Sequence, residues 1–309
     1  MLQLPPVYPI TDAGQAQTLA EQVRRLGQAG FPLVQFRGKP LDPMAQWTQL
    51  RQALQEAHDA GGWPAVVIND RADLAVLAAQ EGLTPWGLHL GQEDLPPSEA
   101  RRLPGLEHVH LGTSTHGSDE WAEVDPACDH AGIGPFRGTV TKADHAAPVG
   151  LEGLEAGCRL LGARGLAAVA IGGLTLADGA DCFRAGAASL AMVGEVARAE
   201  SPRELLWKAQ VARWRVHPPL IPGRPIVLAG GSGSGKSTLG RALAERASLP
   251  FRDLDDAIVA EAGCSIPQLF QREGEAGFRH REGLLARRLL GEPGVLALGG
   301  GAWESEAVR

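Results

Sequence analysis

Five charged residues in the first part of the chain have the types that a phosphorylated substrate requires. Arg37, Lys39 and Lys142 each follow a short apolar run and could neutralise a phosphate group. Asp70 and Asp94 also follow such runs, and one or two carboxylates with substrate phosphates are a usual ligand set for Mg²⁺. Taken singly, each of these residues is best explained as a solvated surface charge. Their joint placement predicts a site for phosphate groups and a divalent metal ion.

A second phosphate-binding motif lies in the last part of the chain. Residues 230–237 fit the pattern GxxxxGK[ST], between an apolar run at 226–229 and a segment with helical spacing. This strand–loop–helix context indicates a P-loop, so we expect ATP here. We predict that Lys236 reaches the β- and γ-phosphates and that Ser237 contacts Mg²⁺. The predicted nucleotide-binding residues are Gly233, Ser234, Gly235, Lys236, Ser237 and Thr238.

Eight short apolar runs supply the elements that would position the first set of residues. They span residues 7–10, 33–36, 65–68, 87–90, 108–111, 130–133, 167–171 and 188–193. Segments with helical spacing lie between several of them, and strands that alternate with helices imply parallel pairing. Eight such units predict a (β/α)₈ barrel, in which catalytic residues follow the carboxyl ends of the strands.

A proline-rich stretch separates this barrel from the P-loop. Residues 217–225 contain four prolines and a glycine, which regular structure does not accommodate. We therefore predict a barrel over residues 1–215, a linker over 216–225 and an α/β P-loop domain over 226–309. In that last part we place three strands, at 226–229, 251–253 and 295–298.

Composition limits the class of protein. Of 309 residues, 44% are hydrophobic and 21% are charged, the usual mix of a globular protein. The net charge is −7 and no basic face is visible, so we expect no nucleic-acid partner. No apolar run reaches the ~18 residues of a membrane span, no signal peptide is evident, and the four cysteines form no CxxC pair. We expect a cytoplasmic protein with small-molecule substrates and no membrane partner, and we leave a homo-oligomer open.

Eight segments of the predicted barrel carry distinctive motifs. They read YPITD, VQFRGK, INDRADLA, GLHLGQEDL, LGTSTH, GIGPFRGTVTK, AIGGLT and AMVGEV. In this order and spacing, over about residues 7–212, they resemble thiamine-phosphate synthase. The resemblance implies a transferase that joins 4-amino-2-methyl-5-(diphosphooxymethyl)pyrimidine to thiazole phosphate and releases diphosphate. It also implies that the C–O bond breaks first and that the thiazole nitrogen captures a pyrimidine carbocation.

The same resemblance assigns roles to individual residues. It implies that Asp70 and Asp94 bind Mg²⁺ and that Arg37, Lys39 and Lys142 stabilise the departing diphosphate. The residues implied to hold the pyrimidine diphosphate are Gln35, Phe36, Arg37, Gly38, Lys39, Asn69, Ser114 and Lys142. Those implied to hold the thiazole phosphate are Thr139, Val140, Thr141, Gly173, Val193 and Gly194.

The chain departs from that family at several positions, and one alternative stays open. Arg137-Gly138 stand where the family usually has a proline and an aromatic residue, and Gly194 stands where it often has serine. The related thiazole tautomerases share the barrel and a histidine at the position of His116, but they generally lack the two metal carboxylates. The presence of both Asp70 and Asp94 favours the synthase.

The P-loop part is similar to shikimate kinase over about residues 224–309. The similarity implies that Asp255 and Arg279 contact the acceptor's hydroxyl and carboxylate, that Asp253 lies near the metal, and that Gly300 and Gly301 line the acceptor site. It further implies five parallel strands in the order 2-3-1-4-5, of which we place three. We therefore expect a shortened or vestigial kinase, while a shikimate kinase with an accessory barrel remains the alternative function.

Overall fold

A computed structural model describes residues 4–138, 147–217 and 225–302. The chain forms two compact units, Met1–Pro218 and Pro219–Arg309. The predicted linker falls mostly outside the described residues, so its limits and those of the two domains stay predictions.

The first unit alternates strands and helices along its whole length. Its strands are β1 (Val7–Pro9), β2 (Leu33–Phe36), β3 (Ala65–Asn69), β4 (Gly87–Leu90), β5 (His110–Thr115), β6 (His130–Ile133), β7 (Ala167–Ile171) and β8 (Ser189–Met192). Its helices are α1 (Leu19–Ala29), α2 (Pro43–Asp59), α3 (Ala72–Gln80), α4 (Pro97–Ala100), α5 (Ser118–Ala122), α6 (Gly150–Ala163), α7 (Gly179–Arg184), α8 (Gly194–Arg198) and α9 (Pro202–Val216). A 3₁₀ turn, Leu176–Asp178, precedes α7.

The eight strands form one parallel sheet that closes on itself. Consecutive strands pair from β2 to β8, and β8 pairs with β1. A bridge between Ile10 and Gln35 joins the end of β1 to β2, and the Thr11 N–H donates to the Gln35 carbonyl at 3.0 Å. The predicted (β/α)₈ barrel is confirmed, and the carboxyl ends of its strands gather at one rim.

Local sequence explains how the helices cover this barrel. In α1, the Thr18 hydroxyl accepts from the Glu21 N–H while the Glu21 carboxylate accepts from the Thr18 N–H, which is a capping box. Leu19, Val23 and Leu26 are buried on one face. Gly30 ends the helix at φ +100°, a conformation that only glycine adopts at low cost.

The prediction for the fifth strand was wrong in its bounds. The apolar run suggests 108–111, whereas β5 spans His110–Thr115. The Thr113 hydroxyl donates to the Leu90 carbonyl at 3.0 Å, and the Thr115 hydroxyl donates to the Gly132 carbonyl at 2.7 Å. These bonds satisfy the polar groups inside the sheet, so the strand continues through residues that are not apolar.

The second unit is a small three-stranded α/β sheet. It contains β9 (Pro225–Leu228), α10 (Lys236–Ala247), β10 (Phe251–Asp253), α11 (Leu254–Ala262), α12 (Ile266–Leu289) and β11 (Gly294–Ala297). The parallel strands lie in the order β10-β11-β9, which matches the 2-3-1 part of the predicted order. Within the described part of the chain β9 therefore has one neighbour, β11, and its Val227 is 37% exposed. Across both units, no described helix is long and apolar enough to cross a membrane.

Candidate functional site

Three predicted residues meet at the rim of the barrel. Lys39 follows β2, Asp70 follows β3 and Asp94 follows β4. The Lys39 Nζ lies 2.5 Å from the Asp70 Oδ2. Asp70 has φ +65°, a left-handed conformation that costs a non-glycine residue energy and recurs at functional sites. Its N–H donates to the His89 carbonyl at 2.7 Å, which fixes this loop to the end of β4.

Asp94 faces Asp70 across a short gap. Its Oδ2 accepts from the Gly91 N–H at 2.7 Å. Burial raises the pKa of the Asp94 carboxyl, and the neighbouring Asp70 carboxylate raises it further, against the lowering effect of the Gly91 N–H. Two adjacent carboxylates that repel each other fit a divalent cation between them. Among the described residues no group of three or more His, Cys, Asp or Glu side chains is arranged to hold a metal ion, so substrate phosphates and water would complete the coordination.

The end of β2 presents the remaining predicted contacts of the pyrimidine diphosphate. Gln35 and Phe36 are buried in the barrel, and Arg37 is half-buried. The Arg37 N–H donates to the Thr11 hydroxyl at 2.9 Å, which anchors the loop to the end of β1. A Cβ at Gly38 would lie 2.8 Å from the Gln46 side chain, so any larger residue there requires Gln46 to shift. Asn69 ends β3, half-buried, directly before Asp70.

A histidine supports the predicted contact Ser114. The His89 Nε2 lies 3.0 Å from the Ser114 Oγ, and the Gln92 side-chain amide donates to the Ser114 carbonyl at 2.5 Å. His89 is 7% exposed. From the sequence alone, His89 is at least as well explained as a core or edge histidine as a catalytic one. The structure brings it to the rim as a support for Ser114.

The predicted thiazole-phosphate residues that the structure describes lie at the ends of β7 and β8. Gly172 and Gly173 follow β7 at φ +93° and +64°, and Val193-Gly194 follow β8. A Cβ at Gly194 would lie 2.8 Å from the Arg198 guanidinium, a cation that sequence reasoning missed. Thr139, Val140, Thr141 and Lys142 lie outside the described residues.

An ion pair that the sequence did not reveal joins two of these strand ends. Arg137 follows β6, and its Nη1 and Nη2 lie 2.8 and 2.6 Å from the Asp178 Oδ2 and Oδ1. Asp178 ends the 3₁₀ turn after β7 and its side chain is 9% exposed. The two residues are 41 positions apart, so only the pairing of β6 with β7 brings them together.

The histidine that matters for the tautomerase alternative is held by a neighbouring acid. Both the His116 N–H and its Nδ1 contact the Glu120 Oε2, at 2.9 and 3.1 Å. This bond lies within one loop and the start of α5. It fixes the ring locally, and within the described part of the chain it connects His116 with none of the predicted phosphate-binding residues.

The P-loop of the second unit has the backbone that its sequence predicts. Gly233 and Gly235 have φ +74° and +84°, and Lys236 begins α10. The Lys236 ammonium donates to the Gly231 carbonyl at 2.8 Å. The Ser237 hydroxyl donates to the Asp253 Oδ2 at 2.5 Å, so the two residues predicted to lie near a metal are in contact. Ser234 is exposed on this loop, and Thr238 is exposed in the first turn of α10.

The predicted acceptor residues of that unit also converge. The Arg279 Nη1 lies 2.8 Å from the Glu282 Oε2, and Glu282 is 1% exposed. A Cβ at Gly301 would lie 2.8 Å from Arg279, and one at Gly300 would lie 3.0 Å from the backbone nitrogen of Ser232, in the P-loop. Burial, with the nearby Asp253 and Glu282 carboxylates, raises the pKa of Asp255.

Comparisons with known proteins agree with the first resemblance. The family model described as thiamine monophosphate synthase matches residues 7–196. A thiamine-phosphate synthase of Chloroflexus aurantiacus is 34% identical over 203 residues, which are 63% of this chain and 86% of that protein. One of Moorella thermoacetica is 36% identical over 189 residues, which are 60% of this chain and 84% of that protein. The solved thiamine phosphate pyrophosphorylase of Pyrococcus furiosus shares the fold, with TM-score 0.57 and 24% identity over 69% of this chain and 97% of that one.

The second unit has a match of its own. The family model described as shikimate kinase matches residues 232–309. The solved shikimate kinase of Acinetobacter baumannii is 42% identical over 28% of this chain and 49% of that one, with TM-score 0.27. The match therefore spans about half the length of that kinase. Taken together, the barrel, its rim and these relatives show that the chain belongs to the thiamine monophosphate synthase family, with a shikimate kinase-like segment after the barrel.

Proposed function

We propose that the barrel condenses 4-amino-2-methyl-5-(diphosphooxymethyl)pyrimidine with thiazole phosphate to give thiamine phosphate and diphosphate. The observation that carries the proposal is the meeting of Lys39, Asp70 and Asp94 at the rim, with Lys39 2.5 Å from Asp70. A cation and two carboxylates at one point of the rim support the binding of both a diphosphate and a divalent metal there. The paired carboxylates also favour the synthase over a thiazole tautomerase, because that related family generally lacks them.

The rim supplies two phosphate sites on opposite sides of the reacting atoms. On one side, Gln35, Arg37, Lys39, Asn69 and Ser114 bind the pyrimidine diphosphate, and Ser114 is oriented by His89 at 3.0 Å. On the other side, the Gly172–Gly173 turn and Val193-Gly194 offer backbone N–H groups to the thiazole phosphate. We also assign to this site Phe36 and Gly38, and Thr139, Val140, Thr141 and Lys142, which the resemblance implies.

The chemistry asks the protein mainly for charge stabilisation. The bond between the pyrimidine methylene carbon and the diphosphate oxygen breaks, and its electron pair leaves with diphosphate. The thiazole nitrogen then donates its lone pair to the methylene carbon. Arg37 and Lys39 stabilise the negative charge on the leaving group where it develops, which is the way preorganised cations accelerate such steps. Mg²⁺ held by Asp70 and Asp94 would neutralise further charge on the diphosphate.

Replacing the two carboxylates tests the proposal. We expect Asp70→Asn and Asp94→Asn each to lower Mg²⁺-dependent diphosphate release by about 100-fold, because each removes one of the few protein ligands of the metal. Asp181→Asn is the matched control, since Asp181 pairs with Arg184 on the exposed face of α7 with a side chain 57% exposed. Diphosphate release at the wild-type rate in both rim variants would refute the metal assignment.

For the second unit we propose binding of ATP phosphates, with Mg²⁺ near Ser237 and Asp253. Contact between the Ser237 hydroxyl and Asp253 supports this. Gly233, Ser234, Gly235, Lys236 and Thr238 would surround the phosphates. The convergence of Asp255, Arg279, Gly300 and Gly301 supports an acceptor site of the kind that shikimate kinases have.

We further infer small-molecule substrates and a location in the reducing cytoplasm. The four cysteines are free thiols, and Cys128, Cys158 and Cys182 are buried in the barrel. Proteins of oxidising compartments commonly pair their cysteines. A free-thiol titration of the protein as isolated without reductant checks this, with four thiols expected after denaturation.

A further inference from the structure

The pair Arg137–Asp178 links two loops at the thiazole-phosphate side of the rim. Both oxygens of Asp178 accept from the guanidinium, at 2.8 and 2.6 Å. Such a two-pronged bond fixes direction as well as distance, because both groups are planar. The Thr175 N–H and hydroxyl also donate to the Asp178 Oδ2, each at 2.9 Å.

The carboxylate end of this pair is held firmly. Burial by itself would raise the pKa of Asp178, but hydrogen bonds from the Thr175 N–H, the Arg137 guanidinium and the Thr175 hydroxyl hold it below its usual range. Asp178 thus stays ionised and fully bonded near neutral pH. The Arg137 guanidinium carbon also lies 5.2 Å from the centre of the Phe136 ring, which limits its movement further.

The backbone beside Arg137 packs directly on the glycine turn. The Arg137 N–H donates to the Gly172 carbonyl at 3.0 Å, and the Phe136 N–H donates to the Ile171 carbonyl at 2.8 Å. A Cβ at Gly173 would lie 3.0 Å from the Arg137 Cβ. Any movement of residue 137 away from β7 would therefore release the turn at Gly172–Gly173.

We propose that Arg137 and Asp178 form a clasp that positions the Gly172–Gly173 turn and thereby sets the affinity for the thiazole phosphate. This rests on the proposed function of the barrel. Arg137 is a positioning residue here, because its guanidinium is neutralised by a buried carboxylate and acts on the phosphate site through the turn. A direct phosphate contact by Arg137 is the competing explanation. The two explanations differ in whether a lysine at position 137 can replace the arginine.

The test compares Arg137→Gln, Arg137→Lys and Asp178→Asn by the KM of each substrate. We expect each variant to raise the KM for thiazole phosphate about tenfold, since misplacement of a binding group by a fraction of an ångström is costly. The KM for the pyrimidine diphosphate should change less than about twofold, because the clasp lies on the other side of the rim. Lysine should not rescue, since one ammonium cannot make both bonds.

The double variant Arg137→Gln/Asp178→Asn gives a second readout. If the two residues act only through each other, its KM should equal that of either single variant. Arg184→Gln, which removes an exposed ion pair on α7, is the matched control and should leave both KM values unchanged. Rescue by Arg137→Lys, additive effects in the double variant, or an unchanged KM in Arg137→Gln would each overturn the clasp.

The outcome for the clasp is separate from that for the proposed function. A wild-type protein that releases no diphosphate contradicts the proposed function. In that case the dissociation constants of thiazole phosphate, measured by calorimetry for the same variants, test the clasp, with the fold-changes that were expected for KM. Because Arg137 is 55% exposed, its variants should fold even if Asp178→Asn does not, and circular dichroism checks this for each variant.

Discussion

The ammonium of Lys39 and the carboxylate of Asp70 form an ion pair at 2.5 Å. Lys39, which we propose binds the diphosphate, therefore contacts Asp70, which we propose binds the metal. Lys39 is 61% exposed and Asp70 is 13% exposed, which makes the lysine the mobile partner. Exposed pairs of this kind contribute little to stability. A divalent cation bound at Asp70 would compete with the lysine ammonium for the carboxylate, and we expect Lys39 then to contact the substrate's phosphates.

Lys39→Gln should therefore separate substrate binding from metal binding. We expect the KM for the pyrimidine diphosphate to rise about tenfold, because one charge-assisted contact is lost. The Mg²⁺ concentration for half-maximal activity should not rise, because Asp70 loses a competing cation. Steady-state titrations of both ligands measure this, with Lys208→Gln, an exposed lysine paired with Glu204 on α9, as control. A parallel loss of Mg²⁺ affinity would show that Lys39 helps to hold the metal site together.

His116→Ala should leave most of the synthase activity intact. His116 is bonded to Glu120 within its own loop, and the thiazole nitrogen already carries the attacking lone pair, so the reaction needs no base here. We expect diphosphate release within about threefold of the wild-type rate, whereas loss of a general base typically costs 10²–10⁴-fold. If the variant instead abolished a thiazole isomerisation, and no form of the protein released diphosphate, the tautomerase alternative would be correct.

A buried histidine should make the barrel sensitive to acid. Burial, with the nearby His89 and His110, lowers the pKa of His130 to about 3 from an ordinary value of 6.5. The ring also lies 5.8 Å from that of Tyr8. As the pH falls below about 6.5, His130 becomes protonated in the unfolded chain but stays neutral in the folded barrel. The free energy of unfolding should then fall by up to ~1.4 kcal/mol per pH unit down to the folded pKa, and should not change above pH 6.5 on this account.

Denaturant unfolding of His130→Asn between pH 4 and pH 8 checks this. The variant should lose most of that slope, although the smaller side chain lowers stability at neutral pH by leaving a cavity. His58→Asn, at an exposed position on α2, should keep the wild-type slope. An unchanged slope in His130→Asn would mean that other groups cause the acid sensitivity.

The sequence predicted the strands well because the core of a parallel barrel is a series of short apolar runs. The run 33–36 is β2 to the residue. The prediction from apolar runs gave the wrong bounds for β5, where threonine hydroxyls donate to backbone carbonyls inside the sheet. Which polar side chains line a strand depends on its neighbours, and no local pattern carries that information.

The candidate site was predictable as a set of residues but not as a set of contacts. Strand ends share a rim, so Lys39, Asp70 and Asp94 could be grouped from the barrel alone. The clasp between Arg137 and Asp178 and the support of Ser114 by His89 depend on side-chain directions across paired strands. Neither contact can be predicted from residue spacing or composition.

Lys236→Ala should weaken nucleotide binding without affecting thiamine phosphate formation. Its ammonium bonds to the Gly231 carbonyl across the P-loop, the position from which it would reach the phosphates. Catalysis asks for more than binding, since phosphoryl transfer needs charge stabilisation from several sides and exclusion of water. Here β9 lies at the edge of the described sheet, with Val227 exposed, so the strand that carries the P-loop is supported on one side.

We therefore expect ATP to bind the 309-residue chain weakly and Lys236→Ala to lower that affinity about tenfold, because a charged contact to phosphate is lost. We expect no shikimate-dependent ATP consumption above background. A calorimetric titration with ATP and a coupled assay with shikimate measure the two quantities. The control is Arg241→Ala, which removes an exposed ion pair between Arg241 on α10 and Asp256 on α11. Robust, Lys236-dependent phosphorylation of shikimate would contradict the expectation. It would mean that groups other than those of the three-stranded sheet complete the catalytic site.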